Sequence, residues 1–128
     1  KRQGAHAFDG CTALVKLQGL ENVTNLSDFT FYNCISLQDV GDLTSLTSIG
    51  ESAFAGCKSL TQLGDMPHLK SIGNSAFANS WDDGTERYYY CDSLKRIGDI
   101  SNVEQIGDLA FYYCESLAEI GSSTAVNH

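Results

Sequence analysis

Apolar residues recur along this chain at steps of three, and the whole pattern returns after 23 residues. One unit shows the steps: Cys57, Leu60, Leu63, Met66, Leu69 and Ile72. An amphipathic helix would need steps of three and four, and a half-buried strand would need strict alternation. The pattern therefore predicts a coil of short segments joined by turns, in which each segment points one side chain to a common axis.

Cysteine and phenylalanine mark the repeat most clearly. The marker pairs are Phe8 with Cys11, Phe31 with Cys34, Phe54 with Cys57, Phe77 with Cys91, and Phe111 with Cys114. One interval is longer because it holds an insertion at about 78–88. A single coil cannot bury its own apolar edge, so neighbouring coils must stack. Each column then becomes a ladder with rungs about 4.8 Å apart.

The repeat predicts a single domain over residues 1–128 with an α/β repeat fold. We expect a right-handed leucine-rich solenoid of about five 23-residue coils, with strands on one face and turns and short helical pieces on the other. The phenylalanines would form an aromatic spine. The cysteines would form a ladder of reduced thiols in the core, since buried cysteine behaves as a small hydrophobe. Disulfides and a metal site are the disfavoured alternatives.

Two glycine patterns punctuate the coil. Gly50, Gly73 and Gly107 follow the last isoleucine, where we predict a turn conformation that a Cβ would hinder. A Gly-Asp pair earlier in the coil carries Asp42, Asp65 and Asp99. Alternation would bury these carboxylates, and burying an unpaired carboxylate is costly. We therefore predict a bulge or tight turn that moves the inward position to the next residue. A capping role for the Asp is favoured over a calcium ladder.

The segments Ile49–Leu60 and Ile106–Leu117 carry a family resemblance. They resemble units of the BspA-type, or Treponema-type, bacterial leucine-rich repeat, which read I-G-x-x-A-F-x-x-C-x-x-L-x-x-I. The resemblance implies a curved solenoid from a secreted or surface-attached protein that adheres to host proteins and cells. The chain departs from the family where proline usually follows the strand, because Leu43, Met66 and Ile100 stand there.

Composition narrows the choice of partner. The chain has 128 residues, a net charge of −8 and only eight Lys and Arg, which are scattered. Phosphate backbones and anionic membranes are bound by clustered cations, so nucleic acid and a membrane surface are disfavoured. No apolar run is long enough to span a membrane. Because the chain begins and ends inside a repeat, we expect it to be a fragment of a larger surface protein.

Catalytic chemistry finds little support in the sequence. His6, His68 and His128 lie at different repeat phases and form no cluster, and no metalloprotease, serine-hydrolase or phosphate-binding motif is present. Cys57 or Cys91 paired with His68 would be a weak candidate, because each cysteine belongs to a core column. We expect neither an enzyme nor a cofactor or metal.

The insertion is the sharpest functional lead. It contains the single tryptophan, Trp81, and the run Arg87, Tyr88, Tyr89 and Tyr90. Insertions in solenoids often form binding loops, and Trp, Tyr and Arg dominate interface energetics. Tyr112 and Tyr113 occupy the equivalent slot in the last coil and would extend the aromatic surface. The alternative is a tolerated loop whose aromatics fold back onto the coil.

The exposed strand positions are a second candidate surface. Lys95 and Arg96 belong to this set, whose other members are Val15-Lys16, Gln38-Asp39, Thr61-Gln62 and Ala118-Glu119. In a horseshoe they would line the concave face, where solenoids bind partners. An ordinary solvated sheet would show the same mixture of polar side chains.

These observations predict an extracellular protein-interaction or adhesion module, whose partner is a host or neighbouring cell-surface protein. Two alternatives remain open. The chain could be a structural spacer that presents other domains. It could also be a carbohydrate-binding module in which Trp81 and the tyrosines stack on sugar rings.

Overall fold

The computed structural model describes residues 6–121. Short strands connected by turns make up this range, and no helix occurs within it. The strands are β1 (Asn25–Leu26), β2 (Ser48–Ile49), β3 (Gln62–Leu63), β4 (Ser71–Ile72), β5 (Ser80–Asp82), β6 (Arg87–Tyr89), β7 (Arg96–Ile97), β8 (Gln105–Ile106) and β9 (Glu119–Ile120).

Strands from successive coils pair in parallel and form two sheets. One has the order β1-β2-β4-β8, and its register places Leu26, Ile49, Ile72 and Ile106 side by side. The other has the order β3-β7-β9, and an isolated bridge joins Lys16 to Asp39. Equivalent residues of neighbouring coils therefore stack as the repeat predicts. The expectation of strands on one face was incomplete, because the coil that contains β3 and β4 and the coil that contains β7 and β8 each contribute a strand to both sheets.

The phenylalanines form the predicted aromatic spine. Rings of Phe8, Phe31, Phe54, Phe77 and Phe111 stack in sequence order with centroids 5.2–5.4 Å apart. The three interior rings are fully buried. This spacing is close to the distance between neighbouring strands. Ring stacking and the hydrogen bonds between strands therefore favour the same separation of successive coils.

The cysteines form a second ladder beside the rings, as predicted. Cys34, Cys57 and Cys91 are buried free thiols. Each thiol donates to the carbonyl of the preceding coil's phenylalanine, and the Sγ of Cys57 lies 3.3 Å from the Phe31 oxygen. Burial raises the pKa of Cys34 to about 12, and it also raises that of Cys57 well above its usual range. The thiols are therefore protonated and able to donate at neutral pH.

The helical pieces predicted for the second side are wrong for residues 6–121, where turns take their place. The residue two positions before each ladder phenylalanine has a left-handed φ of 54° to 63°, as at Ser52 and Ser75. Alternate amides also bond to the next coil: the Phe54 amide donates to the Ala76 carbonyl at 2.7 Å. An α-helix needs continuous bonding within one segment, so this arrangement excludes it.

The glycines that follow the last isoleucine of each coil are required, as predicted, but the predicted reason was wrong. Gly50, Gly73 and Gly107 do not have a positive φ. A Cβ on Gly73 would instead lie 2.7 Å from the carbonyl carbon of Gly50 in the preceding coil. Glycine is required here because two backbones approach closely, not because the turn is left-handed.

The Gly-Asp pairs behave as predicted. Asp65 is exposed, Asp99 is half-buried, and the residue after each is buried (Met66 and Ile100). The Asp65 Oδ1 accepts the backbone amide of Asp99 at 2.8 Å. The carboxylate therefore caps the turn of the next coil, and the inward position moves one residue along.

Candidate interaction surface

The insertion folds as an antiparallel hairpin of β5 and β6. Trp81 pairs with Tyr88, and Asp82 pairs with Arg87. The Asp82 carboxylate accepts the Thr85 amide at 3.1 Å and the Thr85 hydroxyl at 2.7 Å, which closes the connecting turn. These bonds, with one from the Asn33 side chain, hold the pKa of Asp82 below its usual value of 3.8. The segment predicted as a loop is therefore an ordered element.

Buried polar side chains anchor the hairpin to an earlier coil. The buried Ser80 donates to the Asn33 Oδ1 at 2.7 Å, and the Asn33 amide donates to the Asp82 Oδ1 at 2.9 Å. The Trp81 amide donates to the Tyr32 hydroxyl at 3.2 Å. Gly56 leaves room for the contact, since a Cβ there would overlap the Ser80 hydroxyl.

The hairpin presents two aromatic rings outward, which we call the hairpin pair. Trp81 is 42% exposed and Tyr88 is 57% exposed. Their centroids are 5.0 Å apart at an interplanar angle of 66°. The indole Nε1 donates to the Asp83 carboxylate at 2.8 Å, which fixes the orientation of the Trp81 ring.

A tyrosine cluster forms beside the last two ladder cysteines. The Tyr90 and Tyr113 centroids are 5.4 Å apart, and the Tyr112 and Tyr113 centroids are 4.5 Å apart. The structure thus brings together three of the tyrosines that the sequence placed in one slot. Tyr89 is half-buried, and the Arg87 guanidinium lies over its ring at 5.5 Å.

The strand-face candidates lie elsewhere in the molecule. Arg96 belongs to β7, its Nε lies 3.5 Å from the carboxylate of Glu119 on β9, and both side chains are exposed. Lys95, the residue before β7, is exposed as well. These two residues are part of the three-stranded sheet and not of the hairpin.

Sequence reasoning missed the residues that anchor the hairpin. Asn33 and Gly56 precede ladder cysteines and share a left-handed φ, of 62° and 75°. The equivalent position in the neighbouring coils is glycine, at 10 and 56. The asparagine at position 33 was therefore the one sequence signal that could have identified the anchor. Its partner Ser80 could not be identified from the pattern, because the contact crosses two coils and occurs once.

Within residues 6–121, no three His, Cys, Asp or Glu side chains are grouped to hold a metal ion. The same part of the chain contains no helix that could cross a membrane.

Comparisons with known proteins agree with this geometry. The family model described as BspA type leucine rich repeat region matches residues 2–83 and 84–128 in six copies, where the sequence predicted about five coils. A leucine-rich repeat protein from Bacteroides ovatus has a similar structure, with a TM-score of 0.75 and 31% identity. A leucine rich cell surface protein from Faecalibacterium prausnitzii has a TM-score of 0.53 and 25% identity.

The two similar structures belong to longer proteins. The matches cover 92% and 91% of this chain but only 28% of the Bacteroides protein and 44% of the Faecalibacterium protein. No curated protein matches the chain. Since the family model covers nearly every residue, the chain belongs to the BspA-type leucine-rich repeat family.

Proposed function

We propose that this chain is a non-catalytic, extracellular protein-interaction module that binds a host or neighbouring cell-surface protein through its aromatic hairpin. The observation that carries the proposal is the anchored hairpin, which holds Trp81 and Tyr88 in the solvent. An aromatic side chain that is ordered before binding loses little entropy in the complex.

The distribution of exposed apolar side chains supports this surface. Among the described residues, the large exposed ones are Val15, Trp81, Tyr88, Leu109, Tyr112 and Tyr113. All but Val15 belong to the hairpin or to the coil that follows it. Scattered exposed apolar residues need no explanation, but aromatic residues concentrated in one region are typical of binding sites.

The core chemistry supports a non-catalytic role. Cys57 and Cys91 are fully buried, and His68 is exposed. Burial raises the pKa of Cys57, and a hydrogen bond with Cys114 together with burial raises that of Cys91. Thiols with a raised pKa are poor nucleophiles. The cell-surface setting is supported by family membership and by the description of the Faecalibacterium protein.

Binding to fixed epithelial cells tests the proposal. Three labelled proteins are compared: the wild type, Trp81→Ser with Tyr88→Ser, and Lys95→Ser with Arg96→Ser as a matched double variant of the other candidate surface. We expect the hairpin variant to bind at least about tenfold more weakly, because hot-spot aromatics contribute about 2 kcal/mol or more. The strand-face variant should bind like the wild type.

Treatment of the cells identifies the class of partner. Trypsin treatment should remove binding, and periodate oxidation of surface sugars should leave it. Binding that is lost only after periodate would favour the carbohydrate-binding alternative. Equal binding of all three proteins would contradict a role for the hairpin and leave the spacer interpretation.

A further inference from the structure

A groove opens on the surface between the last two coils. Tyr90 and Asp92 line it from one coil, and Tyr113 and Glu115 line it from the next. Its volume is about 410 Å³. This is enough room for one long side chain together with the backbone that carries it.

The four lining residues occupy two repeat positions. Tyrosine stands directly before the ladder cysteine and an acid directly after it, so the two coils read Tyr-Cys-Asp and Tyr-Cys-Glu. The corresponding pairs in the earlier coils are Gly10 with Thr12, Asn33 with Ile35, and Gly56 with Lys58. At these two repeat positions, tyrosine and an acid therefore occur together only in the two coils that line this groove.

Tyr113, directly before a ladder cysteine, has an unusual backbone conformation for a tyrosine. Its φ is 56°, in the left-handed region, and Gly10, Asn33 and Gly56 have the same conformation at this position. Glycine and asparagine tolerate that conformation, whereas a bulky residue there is uncommon. Tyr113 is 52% exposed, so packing in the interior of the coil does not account for its ring.

Two cations of the chain already contact a carboxylate and a tyrosine ring at or near the groove. The Lys58 ammonium lies 3.5 Å from the Asp92 carboxylate. The Arg87 guanidinium lies over the Tyr89 ring. Glu115 is exposed, and none of the ion pairs found in residues 6–121 includes it. One carboxylate at the rim of the groove is therefore available to a cation from outside.

We propose that this groove binds an arginine side chain from a basic segment of the partner protein. The guanidinium would stack on the tyrosine rings and pair with Glu115, since a planar cation fits both an aromatic face and a carboxylate. The net charge of −8 favours the approach of a basic segment. This inference rests on the proposed function, because it names the chemistry of the partner for the same side of the molecule.

Titration with a short peptide tests the groove without cells. The probe is an acetylated, amidated peptide with two arginines separated by glycine, and the control peptide carries neutral citrulline in their place. We expect the arginine peptide to bind at least about tenfold more tightly, because citrulline keeps the shape and loses the charge. Equal affinities would overturn the proposal.

Variants locate the site. Tyr113→Asn removes the ring but uses the residue that stands at the same position and conformation in the second coil. Both Tyr113→Asn and Glu115→Gln should weaken arginine-peptide binding by about fivefold or more, and Glu21→Gln should leave it unchanged. An equal loss for Glu21→Gln would show attraction to the overall charge and overturn the site.

The two proposals can fail separately. If the peptide binds as expected while the hairpin variants bind cells like the wild type, the hairpin function is wrong and the groove stands. If the hairpin variants lose cell binding while the arginine and citrulline peptides bind equally, the groove is wrong and the hairpin function stands.

Discussion

The coil of residues 49–72 and the hairpin of residues 80–89 are held by different kinds of contact. In the coil, Phe54 stacks on Phe31 and Phe77, and the equivalent phenylalanines of the other coils stack in the same way. In the hairpin, one buried asparagine, Asn33, bonds to both Ser80 and Asp82. The coil has many equivalent contacts, and the hairpin depends on a few that occur once.

This difference divides the roles of the two regions. Stability in a stacked array comes from the contacts between adjacent coils, so the ladders set whether the chain folds. The hairpin adds little apolar burial, and the rings of Trp81 and Tyr88 point outward. Changes in the coil should therefore act on stability, and changes in the hairpin should act on binding.

The largest expected effect is that of Phe54→Ala. The ring is fully buried between two others, so its removal should destabilise the chain by about 3–5 kcal/mol through lost packing and a cavity. Tyr88→Ala, an exposed aromatic of the hairpin, should change stability by no more than about 0.5 kcal/mol. Urea unfolding followed by circular dichroism measures both. Similar losses for the two variants would contradict the division of roles.

The second-largest effect is expected at a glycine where the backbones of two neighbouring coils approach closely. A Cβ at Gly98 would lie 2.6 Å from the Asp65 amide nitrogen, whereas one at Gly64, in the same column, has open space around it. Gly98→Ala should therefore destabilise the chain by about 1–3 kcal/mol, as overpacking does. Gly64→Ala should be close to neutral. Urea unfolding measures both changes in stability. An unchanged stability of Gly98→Ala would contradict close backbone approach as the reason for glycine at this position.

The ladders could be predicted from the sequence because they recur. Five phenylalanines and five cysteines in register define the core, and the misfit of Asp65 at an inward position predicted the shift to Met66. The reason for Gly73 could not be predicted, since the contact that requires it belongs to two coils together and not to one turn. Alternate hydrogen bonding between coils, which excludes the helical pieces, is likewise invisible in a single repeat.

The candidate site was predictable only in part. Composition identified the insertion, and the repeat register brought Tyr90, Tyr112 and Tyr113 into one cluster. The pairing of the hairpin strands and the anchor at Asn33 were not predicted. An anchor that occurs once has no periodic signal, and the buried amide forms its bonds only when two distant coils and the hairpin are assembled.

A smaller, local effect tests that anchor. Gly56 and Gly10 share a φ of 75°, but only at Gly56 would a Cβ overlap Ser80. Both alanine variants carry the conformational strain, about 1–2 kcal/mol, and only Gly56→Ala should displace the hairpin. Limited trypsin digestion reports the displacement as faster cleavage after Arg87, an exposed residue of β6. Equal cleavage rates for Gly56→Ala and Gly10→Ala would show that the hairpin does not depend on this contact.

The smallest expected effect is a pH dependence of the hairpin turn. Hydrogen bonds from Thr85 and then Asn33 hold the pKa of Asp82 below 3.8, so the bonds stabilise the turn above that pH. The contribution is lost as the pH falls through the lower value of the folded state. The Thr85 amide shift in NMR spectra should therefore change with a midpoint below 3.8, and Asp82→Asn should abolish the change. A midpoint at or above 3.8 would mean that the turn does not favour the charged carboxylate. The hairpin would then be anchored to the coil by the neutral bonds of Ser80 and Tyr32.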